Sequence, residues 1–153
     1  MKLAVFGSRT LKDDRVKMII YDAIESTGAD TIVTTQEPLG VCTVAQQMAK
    51  ELCLVLELHF LNFRYRQGAY EHRSDEVIKA SDYVLLIHDG VSHGTRNELE
   101  RTKKFRKPYR YEVLEATDTK LQRRYDRKLE AFTPAEEDDQ ADPLGLDMLD
   151  LEL

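Results

Sequence analysis

Gly7-Ser8-Arg9-Thr10 ends an apolar run near the start of the chain with residue types suited to holding an oxyanion. Glycine lets the backbone approach a ligand closely, Ser8 and Thr10 offer hydroxyl donors, and the Arg9 guanidinium fits a phosphate through two parallel hydrogen bonds. An ordinary strand-to-helix turn contains such residues too, and neither a GxGxxG nor a GxxxxGK[ST] pattern is present. A second cluster, Asp89-Gly90-Val91-Ser92-His93-Gly94-Thr95-Arg96, sets glycines, hydroxyls and an arginine directly before a helical pattern. Free backbone N–H groups at a helix start, together with the positive end of its dipole, favour an anion. Acting together, the two loops are expected to hold a phosphate.

Several of these residues have a structural role open to them as well. Thr95 either contacts the ligand or caps the helix, since Thr95-Arg96-Asn97-Glu98 matches a capping box. Glu98 is the residue best suited to general acid–base work, or to a ribose contact, and is equally the closing member of that box. His93 either donates to a phosphate or is solvated. His59, His72, His88 and His93 share no metal-ligand spacing, so no metal is expected. Cys42 and Cys53 lack it too and read as buried thiols.

Strands and helices are needed to carry these loops. Lys2–Phe6 reads as a buried first strand, followed by a helix from Asp13 or Asp14 with Val16, Ile19, Ile20, Ala23 and Ile24 on one face and Gly28 as its stop. Thr31–Thr34 is a second strand, and Thr43-Val44-Ala45-Gln46 predicts the capped start of a second helix. Leu54–Phe60 is a third strand and Asn62–Arg73 a loop, after which Ser74 caps a short helix to about Ala80. Tyr83–Ile87 is a fourth strand, Thr95 to about Phe105 a helix and Pro108–Leu114 a fifth strand. Leu121, Tyr125, Leu129 and Phe132 predict a last amphipathic helix over about 117–132. The alternation predicts a three-layer α/β/α domain over residues 1–133, with a mainly parallel five-stranded sheet. Ligands of such sheets bind beyond the carboxyl ends of the strands, where both loops fall.

The 153 residues suit one domain, with 42% hydrophobic and 33% charged residues in the range of soluble proteins. No run approaches the length of a membrane span, and the opening apolar stretch breaks at Gly-Ser-Arg too early for a secretory signal, so a cytoplasmic protein is expected. The net charge of −6 divides unevenly: residues 136–153 carry −8 and residues 1–135 carry +2. Beyond Pro134 the chain reads as an acidic, disordered tail. Arg101, Lys103, Lys104, Arg106, Lys107 and Arg110, with Tyr109 and Tyr111, form a basic run with aromatics that suits single-stranded nucleic acid or a plain solvated face. Residues 140–146 within the 140–153 tail loosely resemble a sliding-clamp-binding peptide, with Pro143 out of pattern. A homo-oligomer remains open as a further partner.

Gly7-Ser8-Arg9-Thr10 after the first strand, Arg73 before the fourth and Asp89-Gly90-x-Ser92-x-Gly94-Thr95-Arg96 after it resemble the SLOG superfamily. The similarity is to its YspA-like (DUF2493-type) branch, relatives of DprA and LOG proteins, over residues 1–114. The resemblance implies a Rossmann-like fold, with sheet order 3-2-1-4-5, and a nucleotide or nucleotide-derived ligand; no cofactor is identified from the residues. In some relatives it implies cleavage of that ligand, and in DprA-type relatives binding of single-stranded DNA. This chain departs from the branch after the second strand, where a Gly-Gly-Ala-x-Gly-x-Asp stretch reads Thr35-Gln36-Glu37-Pro38-Leu39-Gly40-Val41-Cys42. Only Gly40 remains of the glycines, and Arg73-Ser74 replaces an Arg-Asn pair. Glu37 is expected to repel an anion and Pro38 lacks a donor. Either the first and fourth loops hold the ligand alone, or the ligand differs.

Overall fold

A computed structural model describes residues 1–115. Strands β1 (Lys2–Gly7), β2 (Thr31–Thr35), β3 (Val55–His59), β4 (Tyr83–His88) and β5 (Tyr109–Val113) alternate with helices α1 (Asp14–Thr27), α2 (Val41–Glu51), α3 (Ala69–Ala80) and α4 (His93–Lys104). All strand pairs are parallel, in the order β3-β2-β1-β4-β5. Side chains alternate across the sheet and so build two cores. Leu3, Val5, Ile32, Leu85 and Ile87 pack against α1 and α2. Ala4, Phe6, Val33, Val84 and Leu86 pack against α3 and α4. Because both faces are covered, β4 is apolar and buried along nearly its whole length. The layering is that of a Rossmann-like α/β/α domain.

β1 and β4 lie side by side, with Leu3 opposite Tyr83 and Gly7 opposite Ile87. The chain first builds outward from β1 to β3 and then crosses back to β4 and β5. This topological switch opens a crevice at the carboxyl ends of β1 and β4.

Three helix starts differ from the sequence expectation, and at two of them the hydroxyl that matched a cap is used in a contact outside its helix. α2 starts at Val41 behind Gly40, and the Thr43 hydroxyl donates to the Glu37 carbonyl at 2.8 Å. α3 starts at Ala69 behind Gly68, so residues 69–73 are helical rather than loop and Ser74 is an interior, buried position. α4 starts at His93 behind Ser92, so Thr95 is not its cap. Cys53 corrects a further expectation. It is exposed, at φ 56° in the turn after α2, where Leu54 N–H returns to the Ala49 carbonyl. Such a left-handed residue projects from a helix end instead of packing beneath it.

The expected helix over 117–132, the acidic tail over 134–153 and its clamp-like peptide lie outside the described residues. Among the described residues, no helix is long and apolar enough to cross a membrane.

Candidate functional site

The loops after β1 and β4 meet, as the sequence leads one to expect, but their polar groups turn toward each other. Ser8 is fully buried: its hydroxyl accepts the Asp89 N–H at 3.0 Å and lies 3.2 Å from the Thr95 hydroxyl. The Thr10 hydroxyl donates to Asp89 at 2.6 Å. Asp89 also accepts the N–H groups of Val91 and Ser92 and the Ser92 hydroxyl, which makes residues 89–92 a tight Asx-type turn. Burial alone would raise the Asp89 pKa; these four donors outweigh it and hold the carboxyl below its ordinary value. Gly90 makes the turn at φ 89°. Ser8, Thr10, Asp89, Ser92 and Thr95 thus form a latch that fixes β1 to α4.

His88 extends the latch. Its Nε2–H donates to the Ser92 carbonyl at 2.9 Å, so Nδ1 accepts from the Tyr111 hydroxyl at 2.7 Å. Burial holds its pKa below the ordinary value, against the opposing effects of the Ser92 carbonyl and the Asp89 charge.

A recess opens on the other side of the β1 loop, under α3 and α4. It is lined by Gly7, Arg9, Thr35, Glu37, Cys42, Tyr70, Arg73, Ser74, Gly94 and Glu98. Arg9 comes from the loop after β1 and Arg73 from the second turn of α3; both are more than nine-tenths buried. They converge on one carboxylate. Arg73 Nη2 donates to Glu37 Oε1 at 2.8 Å, and Arg9 Nη2 lies 3.6 Å from Glu37 Oε2. Tyr70, one turn before Arg73, places its ring 5.2 Å from that guanidinium, within cation–π range. The lining carries two guanidinium cations and two carboxylates, Glu37 and Glu98, and is formally neutral. Glu37 therefore does not face an incoming anion from outside, as its position in the sequence implies. It is folded in against the arginines.

Glycine is required twice around this recess. A Cβ on Gly7 would fall 2.4 Å from Val41 Cβ, and one on Gly40 would fall 2.4 Å from the Ser8 carbonyl oxygen and from Arg9 Cα. Gly40 at φ 80° lets the second loop pack directly on the first, so its role is backbone contact between loops.

No family model, curated protein or solved structure matches the chain.

Of the residues expected at the site, Gly7, Arg9, Arg73, Gly94 and Glu98 line the recess. Ser8, Thr10, Asp89, Ser92 and Thr95 belong to the latch, and Gly40 supports the loops from behind. Arg96 is exposed and outside the recess lining. The sequence reading missed Thr35 and Tyr70. Thr35 ends a strand buried at every position, and a hydroxyl at the carboxyl end of such a strand is a signal for a site. Tyr70 precedes Arg73 by one helical turn, a relationship hidden while the segment was read as loop. Cys42, also in the lining, is buried; desolvation pushes its thiol up to about 11, so it is a packing group. Among the described residues, no group of three or more His, Cys, Asp or Glu side chains is placed to hold a metal ion.

Half of the basic run is engaged within the fold. Arg101 makes a two-pronged pair with Asp75 at 2.6 and 2.7 Å, Lys107 donates to the Ser81 carbonyl, and Arg110 bridges Glu112 and Asp22. Lys103, Lys104 and Arg106 are exposed.

Proposed function

We propose that this protein binds a nucleotide or nucleotide-derived ligand by its phosphate, in the recess at the carboxyl ends of the strands, as a sensor or binding protein. One observation carries the reading: Arg9 and Arg73, buried and from separate elements, converge on one carboxylate at the carboxyl ends of the strands. Two buried guanidinium groups are expensive to desolvate, and a purely structural role would be met more cheaply by apolar residues. The resemblance to SLOG proteins, YspA-like members included, supports the same class of ligand. Melting of the full chain with a panel of nucleotides, ADP-ribose and cyclic dinucleotides tests it. A ligand at about 100 times its Kd contributes about 2.7 kcal/mol, which is roughly 5–10 °C for a chain of this size. No shift with any member of the panel would overturn the reading.

Glu98 favours a second reading, hydrolysis of the nucleotide at a phosphate or N-glycosidic bond. Its side chain lines the same recess as the two arginines, where a carboxylate is able to act as acid or base. Chromatography after incubation with the ligands that bind separates the two readings. Turnover that survives in Glu98→Gln would remove Glu98 from that role.

A further inference from the structure

Glu37 lies in the loop between β2 and α2, and its side chain reaches the two buried arginines. The cavity left beside it is about 20 Å³, room for about one water molecule. A phosphate group therefore does not fit beside Glu37 while its side chain stays where it is.

The fit of Glu37 to this position is incomplete. Its Oε2 has no hydrogen-bond partner and stands 3.6 Å from the nearest Arg9 nitrogen. Arg73 Nε is buried and also lacks a partner. A planar carboxylate offers two oxygens to two forked guanidinium groups, whereas a terminal phosphoryl group offers three in tetrahedral array. The backbone beneath Glu37 is fixed: its N–H donates to the Thr35 carbonyl at 2.9 Å, and its carbonyl accepts from Thr43 Oγ1 at 2.8 Å and Gln46 Nε2 at 3.3 Å. The side chain keeps 12% exposure, so an exchange here needs movement of the side chain alone while this backbone stays anchored.

We infer that the Glu37 carboxylate is a resident stand-in for the ligand's phosphoryl group, neutralising Arg9 and Arg73 in the empty protein and swinging out when a phosphoryl group takes its place. This rests on the proposed phosphate-binding reading and adds its regulation. Arg73 is never left without an anionic partner. Affinity is set by competition, so the intrinsic affinity of the arginine pair is reduced by the fraction of time that Glu37 occupies it.

The test uses the full chain with inorganic phosphate as probe and chloride at matched ionic strength as control. Glu37→Ala and Glu37→Gln are compared with wild type by thermal melting and titration calorimetry. In chloride, Glu37→Ala melts lower than wild type, because buried Arg73 loses its hydrogen-bonded carboxylate and Arg9 the carboxylate 3.6 Å away. Phosphate restores its melting temperature and binds at least tenfold more tightly than to wild type, and Glu37→Gln falls between the two. Adding Arg73→Gln to Glu37→Ala abolishes the gain. Phosphate binding no tighter in Glu37→Ala and Glu37→Gln than in wild type would overturn the inference, as would a gain that persists without Arg73. If Glu37→Ala folds only in phosphate, the inference is supported; if it folds in neither buffer, Glu37→Gln decides alone. The nucleotide panel separates this result from the broader reading. Nucleotide binding by wild type, with phosphate affinity unchanged in the variants, removes the stand-in but leaves the ligand class. Tighter phosphate in the variants with no nucleotide bound by any form removes the nucleotide and keeps the stand-in.

Discussion

The hydroxyls of Ser8 and Thr95 lie 3.2 Å apart in the buried interior, joining the loop after β1 to the first turn of α4 across 87 positions of sequence. Because Ser8 Oγ also accepts the Asp89 N–H, it serves three segments at once. Ser8→Ala leaves that buried N–H without its acceptor and is expected to cost about 1–3 kcal/mol. Thr95→Val removes only the hydroxyl pair and should cost less, and the double variant should cost less than the two singles combined, as for residues in contact. Urea denaturation of the four proteins measures this; strict additivity would show that the pair is not coupled.

Gly40 and Gly68 share a positive φ, 80° and 76°, but differ in surroundings. A Cβ at Gly40 would strike the Ser8 carbonyl and the Arg9 backbone, whereas at Gly68 the nearest atom is the flexible Glu71 carboxylate at 3.8 Å. Gly68→Ala should therefore cost only the left-handed backbone penalty, about 1–2 kcal/mol. Gly40→Ala adds a collision between backbones and should exceed it by at least about 2 kcal/mol, at the severe end for single substitutions. Equal losses in denaturant midpoint would contradict the loop-on-loop contact.

Acid should loosen the latch in two stages. His88 has a folded pKa below its unfolded value of about 6.5, so the unfolded chain takes up its proton first. Its contribution is fully present above about pH 6.5 and declines as pH falls from there through its folded pKa. Asp89 follows the same sign lower down: its contribution is full above about pH 3.9 and declines as pH falls through a still lower folded pKa. Stability measured from pH 7.5 to 3 should fall across both windows, and Asp89→Asn should flatten the lower one. An imidazole NMR titration placing His88 above 6.5 in the folded protein would contradict the first stage.

The two thiols should separate cleanly. Cys53 is exposed, while Cys42 is buried with its pKa pushed up to about 11, mainly by desolvation and then by the Glu98 charge. A thiol reagent at pH 8 should modify Cys53 in the native protein and reach Cys42 only on unfolding. Rapid reaction of both in native buffer would show that the recess opens readily.

Much of the fold is legible in the residues. Lys2–Phe6, Thr31–Thr34 and Tyr83–Ile87 are short apolar runs ending in turn residues, and their alternation with helices leads to the parallel sheet that is seen. The first helix is equally plain, since Val16, Ile20, Ala23 and Ile24 recur at helical spacing and Gly28 supplies its left-handed end. The starts of α2, α3 and α4 are not, because Thr43, Ser74 and Thr95 have the chemistry of caps and only their neighbours in space decide whether they act as caps. A hydroxyl three residues before Gln46 or Glu98 satisfies a local pattern; the Glu37 carbonyl and the Ser8 hydroxyl, far away in sequence or in another loop, take it instead.

The site divides in the same way. By itself the sequence determined the chemical inventory at the sheet's carboxyl edge: glycines, hydroxyls, Asp89, Arg9 and Arg73. Residue type and strand-to-helix order are local properties, and they suffice for that. Which hydroxyls face one another, and where Arg9, Arg73 and Glu37 converge, depends on contacts between segments 28 to 87 positions apart. Only the tertiary structure brought those segments together, and it sorted one expected phosphate site into a latch of hydroxyls and a recess where two arginines share the carboxylate of Glu37.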